Sequence, residues 1–188
     1  MQKFQKAVLK TRRLFLRPLQ EGDGEIILPA VNNAMLNKYL TMELPATLEK
    51  EMNFVKKHMK RHARKGFYFL AFEKSSGNFV GYADLHEMHE QYRKANIGLW
   101  IAVGKQRKGF GEEIVRALFD FGFSKLKLNR IGYALNSKNK ASEGLIKKLG
   151  GKFEGTLRDF IIKHGKPFDD KVYSILASEW KRKKGKKK

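Results

Sequence analysis

Cysteine is absent from these 188 residues, so the chain has no disulfide, no thiolate zinc site and no cysteine nucleophile. It also has no apolar run near the ~20 residues that cross a bilayer as a helix. The opening Met1-Gln2-Lys3-Phe4-Gln5-Lys6 leads into only a short apolar patch, unlike a secretory signal. Internal repeats are lacking, and low complexity is confined to the last eight residues. Hydrophobic residues make up 41%, enough for a real core. These features imply one globular domain over residues 1–180, followed by a basic, disordered tail at 181–188. A cytoplasmic location without membrane contact is the simplest reading.

Acidic residues are scarce too: 19 Asp and Glu stand against 40 Lys and Arg, for a formal charge of +21. Seven of those charges lie in residues 181–188, which leaves +14 on the rest. A tail of this kind attracts polyanions without choosing among them. The excess on the body suggests an anionic partner, whether a phosphorylated cofactor, RNA or a particle built of RNA. A general lysine bias of the source proteome would explain it equally well.

The stretch around which the chain is organised is Gln106-Arg107-Lys108-Gly109-Phe110-Gly111. Ahead of it, Ile97-Gly98-Leu99-Trp100-Ile101-Ala102-Val103 reads as a buried strand. Behind it, Ile114, Val115, Leu118 and Phe119 recur at helical spacing. A helix N-terminus has unpaired N–H groups and partial positive charge, and so suits an anion. Gly109 and Gly111 let the backbone come close to a phosphate, while Arg107 and Lys108 add charge. The stretch lacks the Lys-Ser/Thr ending of a P-loop and has one glycine too few for the dinucleotide fingerprint. A basic turn that merely caps a helix is the plain alternative.

The remaining elements follow in order. Leu14-Phe15-Leu16-Arg17-Pro18-Leu19 reads as a first strand, then Asp23 as the N-cap of a helix holding Ile26, Ile27, Ala30 and Val31. A short helical piece with Met35, Tyr39 and Leu40 precedes a long helix capped by Thr47. On that helix Met52, Phe54, Val55 and Met59 form the apolar side, and Lys56, Lys57, Lys60, Arg61, Arg64 and Lys65 make the rest basic. Phe67 to Phe72 and Phe79 to Leu85 are strands joined by the hairpin turn Lys74-Ser75-Ser76-Gly77-Asn78, with Gly81 at a bulge or close approach. Residues 86–92 read as a polar loop. A strand at 129–135, the cap-rich turn 136–142 and a helix with Leu145, Ile146 and Leu149 follow, closed by Gly150-Gly151. Two strands centred on 153–157 and 172–176, separated by His164-Gly165-Lys166-Pro167, end the domain. The order implies an α/β (α+β) fold with a mixed sheet of about six to seven strands flanked by about four helices.

The 106–111 stretch resembles the acyl-CoA pyrophosphate loop of the GNAT acetyltransferases, Gln/Arg-x-x-Gly-x-Gly/Ala. From Asn96 to Trp180 the chain resembles the ribosomal-protein N-terminal acetyltransferase (RimJ/RimL-like) branch of that family. Ile97-Gly98-Leu99-Trp100-Ile101 stands for its Glu-Ile-Gly-Tyr-Trp-Leu strand, and Asn139-Lys140-Ala141-Ser142 for its Asn-x-x-Ser turn. Leu149-Gly150-Gly151-Lys152-Phe153-Glu154-Gly155 and the closing Tyr173-Ser174 strand come next, and Leu14-Phe15-Leu16-Arg17-Pro18 matches at the front.

The resemblance implies the GNAT fold with acetyl-CoA as co-substrate and no metal. The central strands 96–103 and 130–135 should splay, so that the pantetheine arm enters as an extra edge. Gln106, Arg107, Lys108, Gly109, Phe110 and Gly111 would hold the pyrophosphate. Backbone N–H groups near Ile101, Ala102 and Val103 would polarise the thioester carbonyl. Asn139 and Ser142 would meet the cofactor's arm or its leaving sulfur, with Ser142 serving chiefly as a helix cap. The implied reaction is direct attack by a neutral amine, with proximity supplying much of the rate.

One departure matters: the strand's usual glutamate is Asn96, which cannot take a proton. A base would then come from His86 or Glu87, acting through water, although a loop of that composition is ordinarily solvated surface. Tyr92 reads as packing. The resemblance favours a protein N-terminal α-amine as acceptor, with ribosome or RNA association through the basic surface. A small-molecule amine (antibiotic, polyamine or metabolite) is the alternative, as is a non-catalytic CoA-binding or RNA-associated module. A polyamine would have to overcome the field of a +21 protein through a local acidic pocket. Acceptor choice is expected in the front helices, residues 22–65, and in the loop 86–93.

Overall fold

Six of the seven residues of the strand Phe67–Glu73 are buried, and a strand that is apolar on both faces needs a cover on each side. The computed structural model, which describes residues 2–40, 44–163 and 165–185, supplies both covers around one mixed sheet. Its strands are β1 (Leu9–Lys10), β2 (Leu14–Pro18), β3 (Phe67–Glu73), β4 (Phe79–His89), β5 (Lys94–Ile101), β6 (Arg130–Asn136), β7 (Lys152–Lys163) and β8 (Lys166–Leu176). They lie in the order β1-β2-β3-β4-β5-β6-β8-β7. The helices are α1 (Asp23–Val31), α2 (Ala34–Asn37), α3 (Leu48–Arg61), α4 (Phe110–Asp120), α5 (Lys140–Leu149) and α6 (Ala177–Gly185).

Strand alternation divides the apolar residues between two cores. On one face Leu14, Phe67, Phe69, Leu85, Ile97 and Ile131 pack with Ile114, Leu118 and Phe119 of α4, Ile146 and Leu149 of α5, and Trp180 of α6. On the other, Tyr68, Leu70, Phe72 and Tyr82 meet Ile27 and Val31 of α1 and Val55 of α3. α4 runs on into a single π-turn, Phe121–Lys125. Trp180 anchors α6 there: its Nε1–H donates to Asp120 Oδ1 at 2.7 Å, and its ring meets Phe119 edge-on.

Several local readings hold. Thr47 caps α3 through Lys50 N–H, and Gly150 closes α5 in the left-handed region at φ 94°. At Gly81 a Cβ would lie 2.3 Å from the Trp100 carbonyl oxygen, so β4 and β5 approach closely there. Others need correction. Asp23 is not the cap of α1: Gly22 occupies that place in the left-handed region. The Asp23 carboxylate instead holds the Arg17 guanidinium (2.6 and 2.7 Å) and Gln20 N–H. The sheet has eight strands because the two-residue β1 adds an edge, and the last two strands form one long hairpin. Residues 181–185, expected in a disordered tail, continue α6; residues 186–188, Thr41 to Glu43 and His164 lie outside the described residues.

The feature that creates a site is the only parallel pairing among the described strands. β5 and β6 pair at Lys94↔Arg130, Ala95↔Ile131 and Asn96↔Gly132, and there the ladder stops. β5 continues to Ile101 and β6 to Asn136 without meeting. The expected splay is present, and it begins one residue beyond Asn96.

Candidate active site

A cleft of about 260 Å³ fills the splay, lined among others by Gly98, Leu99, Tyr133, Leu135, Asn139 and Ser142. The backbone direction in β5 decides which groups face it. Ala102 N–H donates to Val80 O, and Gly98 N–H to Asp84 Oδ1, so both point toward β4. By the alternation of an antiparallel strand, the backbone groups of Leu99 and Ile101 face the cleft. Of the residues expected there, Ile101 faces the cleft and Ala102 is turned away; Leu99, which was not among them, faces it too. Val103 begins the short 3₁₀ turn Val103–Lys105 that leads out of the strand. The Ile101 carbonyl already accepts from Gln106 Nε2 at 2.9 Å, so the Gln106 side chain lies against the free strand edge.

The loop that follows has the shape its composition suggested. Arg107 (φ 61°) and Gly109 (φ 80°) are both left-handed, and Gly109 is the N-cap of α4 with no side chain bonded to it. The first N–H groups of α4 are thus open to an anion. Lys108 presents its carbonyl inward, where Arg13 Nη1–H donates to it at 3.0 Å. Arg13 also grips Glu113 at 2.7 Å and lies over the Phe110 ring, 4.5 Å from its centroid. Phe110 itself is buried, so its side chain packs and only its backbone is available. A Cβ on Gly111 would sit 3.5–3.9 Å from Leu145, Leu99 and Ile101; alanine would fit and a large residue would fill the cleft. Arg13 carried no sequence signal, since its role depends on β2 lying beside α4.

Across the cleft, Asn139 caps α5 by accepting Ser142 N–H at 3.1 Å. The expectation that Ser142 is chiefly the cap is therefore corrected, because Asn139 takes that task. Ser142 Oγ is 2.8 Å from the hydroxyl of Tyr133, whose pKa burial pushes up. The two hydroxyls line the cleft together, and Tyr133 was not foreseen.

A second, larger cavity of about 990 Å³ opens between α1, α3 and the sheet, walled by Phe54, Tyr68, Tyr82 and Trp100. Residues 86–89, expected in a loop, are the end of β4, with a bulge between His86 and His89 and Glu87 at φ 49°. Tyr92, expected to pack, is 63% exposed.

In β4, Asp84 is buried and accepts three hydrogen bonds: from Tyr82 OH (2.6 Å), from Gly98 N–H (2.9 Å) and from His86 Nδ1 (2.6 Å). A carboxylate only accepts, so the imidazole proton belongs on Nδ1 and the lone pair on Nε2. Burial pulls the His86 pKa down, but the hydrogen bond and charge of Asp84, with Glu87 adding, outweigh it and the net shift is upward. Asn96, opposite His86 in the register, donates from Nδ2 to Glu87 Oε2 at 2.6 Å. It has room because Gly132 faces it: a Cβ there would lie 2.3 Å from Asn96 Oδ1. His86, Glu87 and Asn96 are thus brought together, and Asp84, invisible as a functional residue in the sequence, organises them. Deeper in the cavity, Glu51 is buried with Oε2 unpartnered, and burial pushes its pKa up. Among the described residues no three of His, Asp and Glu are grouped to hold a metal ion, and no helix is long and apolar enough to cross a membrane.

A splayed parallel pair, an open helix N-terminus at its mouth and a polar cavity on the adjoining sheet face define an acyl-CoA-dependent transferase. Residues 13–152 match the family model described as an acetyltransferase (GNAT) domain, and the chain belongs to the GNAT acetyltransferase family. It is an enzyme that takes its acetyl group from acetyl-CoA and delivers it to an amine. The chain is similar to the uncharacterized N-acetyltransferase YoaA of Bacillus subtilis, 30% identical over 90% of this chain and 96% of that protein. A candidate ribosomal N-acetyltransferase of Bacillus subtilis, YdaF, is 34% identical over 55% of this chain and 57% of its own length. Among solved structures, the spermidine N-acetyltransferase of Vibrio cholerae, in complex with CoA and spermine, superposes with a TM-score of 0.80. It is 26% identical, over 89% of this chain and 97% of that one.

Proposed function

We propose that the acceptor is the α-amine of a peptide or protein, as in the RimJ/RimL-like branch, acetylated by direct attack within a ternary complex. The observation that carries this reading is the Asp84–His86 pair, set in the wall of the large cavity opposite Asn96. An α-amine has a pKa of about 7.7–8.0, against about 10.4 for a lysine-type amine. A histidine held somewhat above its ordinary value is therefore a sufficient base for the first and a poor one for the second. The amine nitrogen bonds to the thioester carbon, and its proton passes to His86 Nε2, directly or through water. The oxyanion is stabilised by the cleft-facing N–H groups of Leu99 and Ile101. The C–S bond then breaks, and the thiolate takes a proton from the Ser142–Tyr133 hydroxyls. Asn96 acts here by orienting Glu87 rather than by proton transfer. The outward basic residues of α3, Lys56, Lys57 and Lys60, would favour an acceptor presented on an anionic carrier such as a ribosome.

A second reading, a polyamine acceptor, is favoured by the likeness to the Vibrio cholerae enzyme and by the buried Glu51. The test is CoA release and product mass with acetyl-CoA and a panel of short peptides, spermidine and a lysine-side-chain peptide blocked at its N-terminus. Turnover of free peptide N-termini with little on the blocked peptide or spermidine supports the α-amine reading. Spermidine turnover without peptide turnover overturns it.

A further inference from the structure

The mouth of the large cavity is cationic in a way that its role in amine transfer does not explain. Arg61 at the end of α3, Lys65 in the following turn, Lys94 at the start of β5 and Arg130 at the start of β6 all line it. Arg130 is taken up by Glu154 at 2.8 Å and by Ser174. Arg61, Lys65 and Lys94 are exposed, and among the described residues none of the three has a carboxylate within ion-pair distance. Arg61 could be accounted for by the negative end of the α3 dipole. That account fails for Lys65, which lies beyond the helix against β4, where its carbonyl accepts Met88 N–H. It also fails for Lys94, which sits on a strand.

None of the carboxylates that line the same cavity is paired with these three cations. Asp84 is paired with His86, Glu51 is buried away from the mouth, and only Glu87 stands near the rim, held by Asn96. The register sets the scale. Lys94 is two residues from Asn96 on the same side of β5, about 7 Å along a strand. Lys94 Nζ lies over the exposed Tyr92 ring, 6.0 Å from its centroid, which leaves it without a carboxylate. An amine held beside Asn96 and His86 therefore has its next one or two residues passing between cations that no carboxylate neutralises.

We propose that the enzyme selects acceptors whose α-amine is followed at the second and third positions by acidic residues, with Lys65, Lys94 and Arg61 reading those carboxylates. This rests on the α-amine reading above and narrows it to acidic N-termini. The same rim opposes a polyamine, whose distal nitrogens would have to pass it.

The experiment compares hexapeptides that share a free N-terminal serine and carry Asp-Glu, Ser-Gln or Lys-Arg at positions two and three. CoA release is measured on the full-length protein at 20 and 300 mM salt. At two exposed charge pairs, the acidic peptide should exceed the neutral one in kcat/KM by about tenfold at low salt, chiefly through KM. High salt should shrink that advantage. Lys65→Glu and Lys94→Glu, both at exposed positions, should each invert the order of acidic and basic peptides. Lys10→Glu, on the far edge of the sheet, changes the net charge equally and should leave the order intact. Equal turnover of the three peptides, or an order that Lys65→Glu and Lys94→Glu leave unmoved, overturns the acidic-acceptor proposal while the α-amine reading stands. Turnover of spermidine alone overturns both.

Discussion

Replacing Asp84 by asparagine tests the centre of the site most directly. The carboxylate accepts three hydrogen bonds, and asparagine of the same shape can accept at only one of its two ends. Gly98 N–H and His86 can share that oxygen, while the new NH₂ faces Tyr82 OH, which is able to accept. The fold can therefore survive, at a cost of about 1–3 kcal/mol for weakened bonds to a formerly charged group. Catalysis should fare worse. The amide no longer forces the His86 proton onto Nδ1, and it withdraws the charge and hydrogen bond that raise the pKa. With burial left to dominate, the His86 pKa falls. Loss of an oriented general base typically costs about 10²–10⁴ in rate. Wild-type kcat should rise with pH through a limb above about 6.5, the ordinary imidazole value, and Asp84→Asn should lower the plateau and move the limb to lower pH. Linkage gives an independent check. A raised folded-state His86 pKa contributes stability that is complete below pH ~6.5 and is lost as pH rises through the folded value. The stability gap between wild type and Asp84→Asn should therefore be widest in acid and narrow toward pH 8. A variant within twofold of wild type with an unmoved limb would refute the assignment of His86 as base.

Two further outcomes follow from particular contacts. Gly132→Ala places a methyl group 2.3 Å from Asn96 Oδ1, which pushes Asn96 off Glu87. Overpacking of this kind costs about 1–3 kcal/mol, a fall of about 2–12 °C in Tm for a chain of this length, which calorimetry would read. An unchanged Tm would mean that the Asn96 side chain swings aside at no cost and that its contact with Glu87 adds nothing to stability. Glu143 is held well below the usual carboxylate range by Lys147, Tyr173 and Lys171. Its contribution to stability is present above about pH 4.5 and lost as pH falls through the lowered folded value. In thermal melts, Glu143→Gln should lie below wild type at pH 7 and approach it below pH 4; a constant gap would refute the electrostatic account.

Much of the fold was legible because its signals are local. The apolar run of β3, the Gly77 turn, the Thr47 cap and the Gly150 stop each depend on a few adjacent residues, and each is where the sequence places it. The strand–loop–helix around Gly109 was legible for the same reason. Elements without a local signature were not. β1 exists through two residues that pair with β2. The end of β4 looks like a loop because Glu87 and His89 are exposed and a bulge interrupts the strand's alternation there. Asp23 resembles a cap until Arg17, on the neighbouring strand, is seen to hold it.

The same distinction bears on the base proposed for the reaction. Sequence reasoning looked for a carboxylate at the position of Asn96, found an amide, and turned to His86 or Glu87 without a means of choosing between them. In the sheet, position 96 on β5 lies opposite His86 on β4, so a side chain from either strand can address the same space. With Asn96 unable to accept a proton, a basic nitrogen is available one strand over, held by Asp84 two residues earlier on the same face. Spacing of i and i+2 on a strand is too common to signal a dyad by itself. It acquires meaning only when Gly98 N–H and Tyr82 OH fix Asp84 from the other sides, and those partners come from pairing that no single stretch of sequence displays. The chemistry of the site thus belongs to the register between β4 and β5 more than to any one motif.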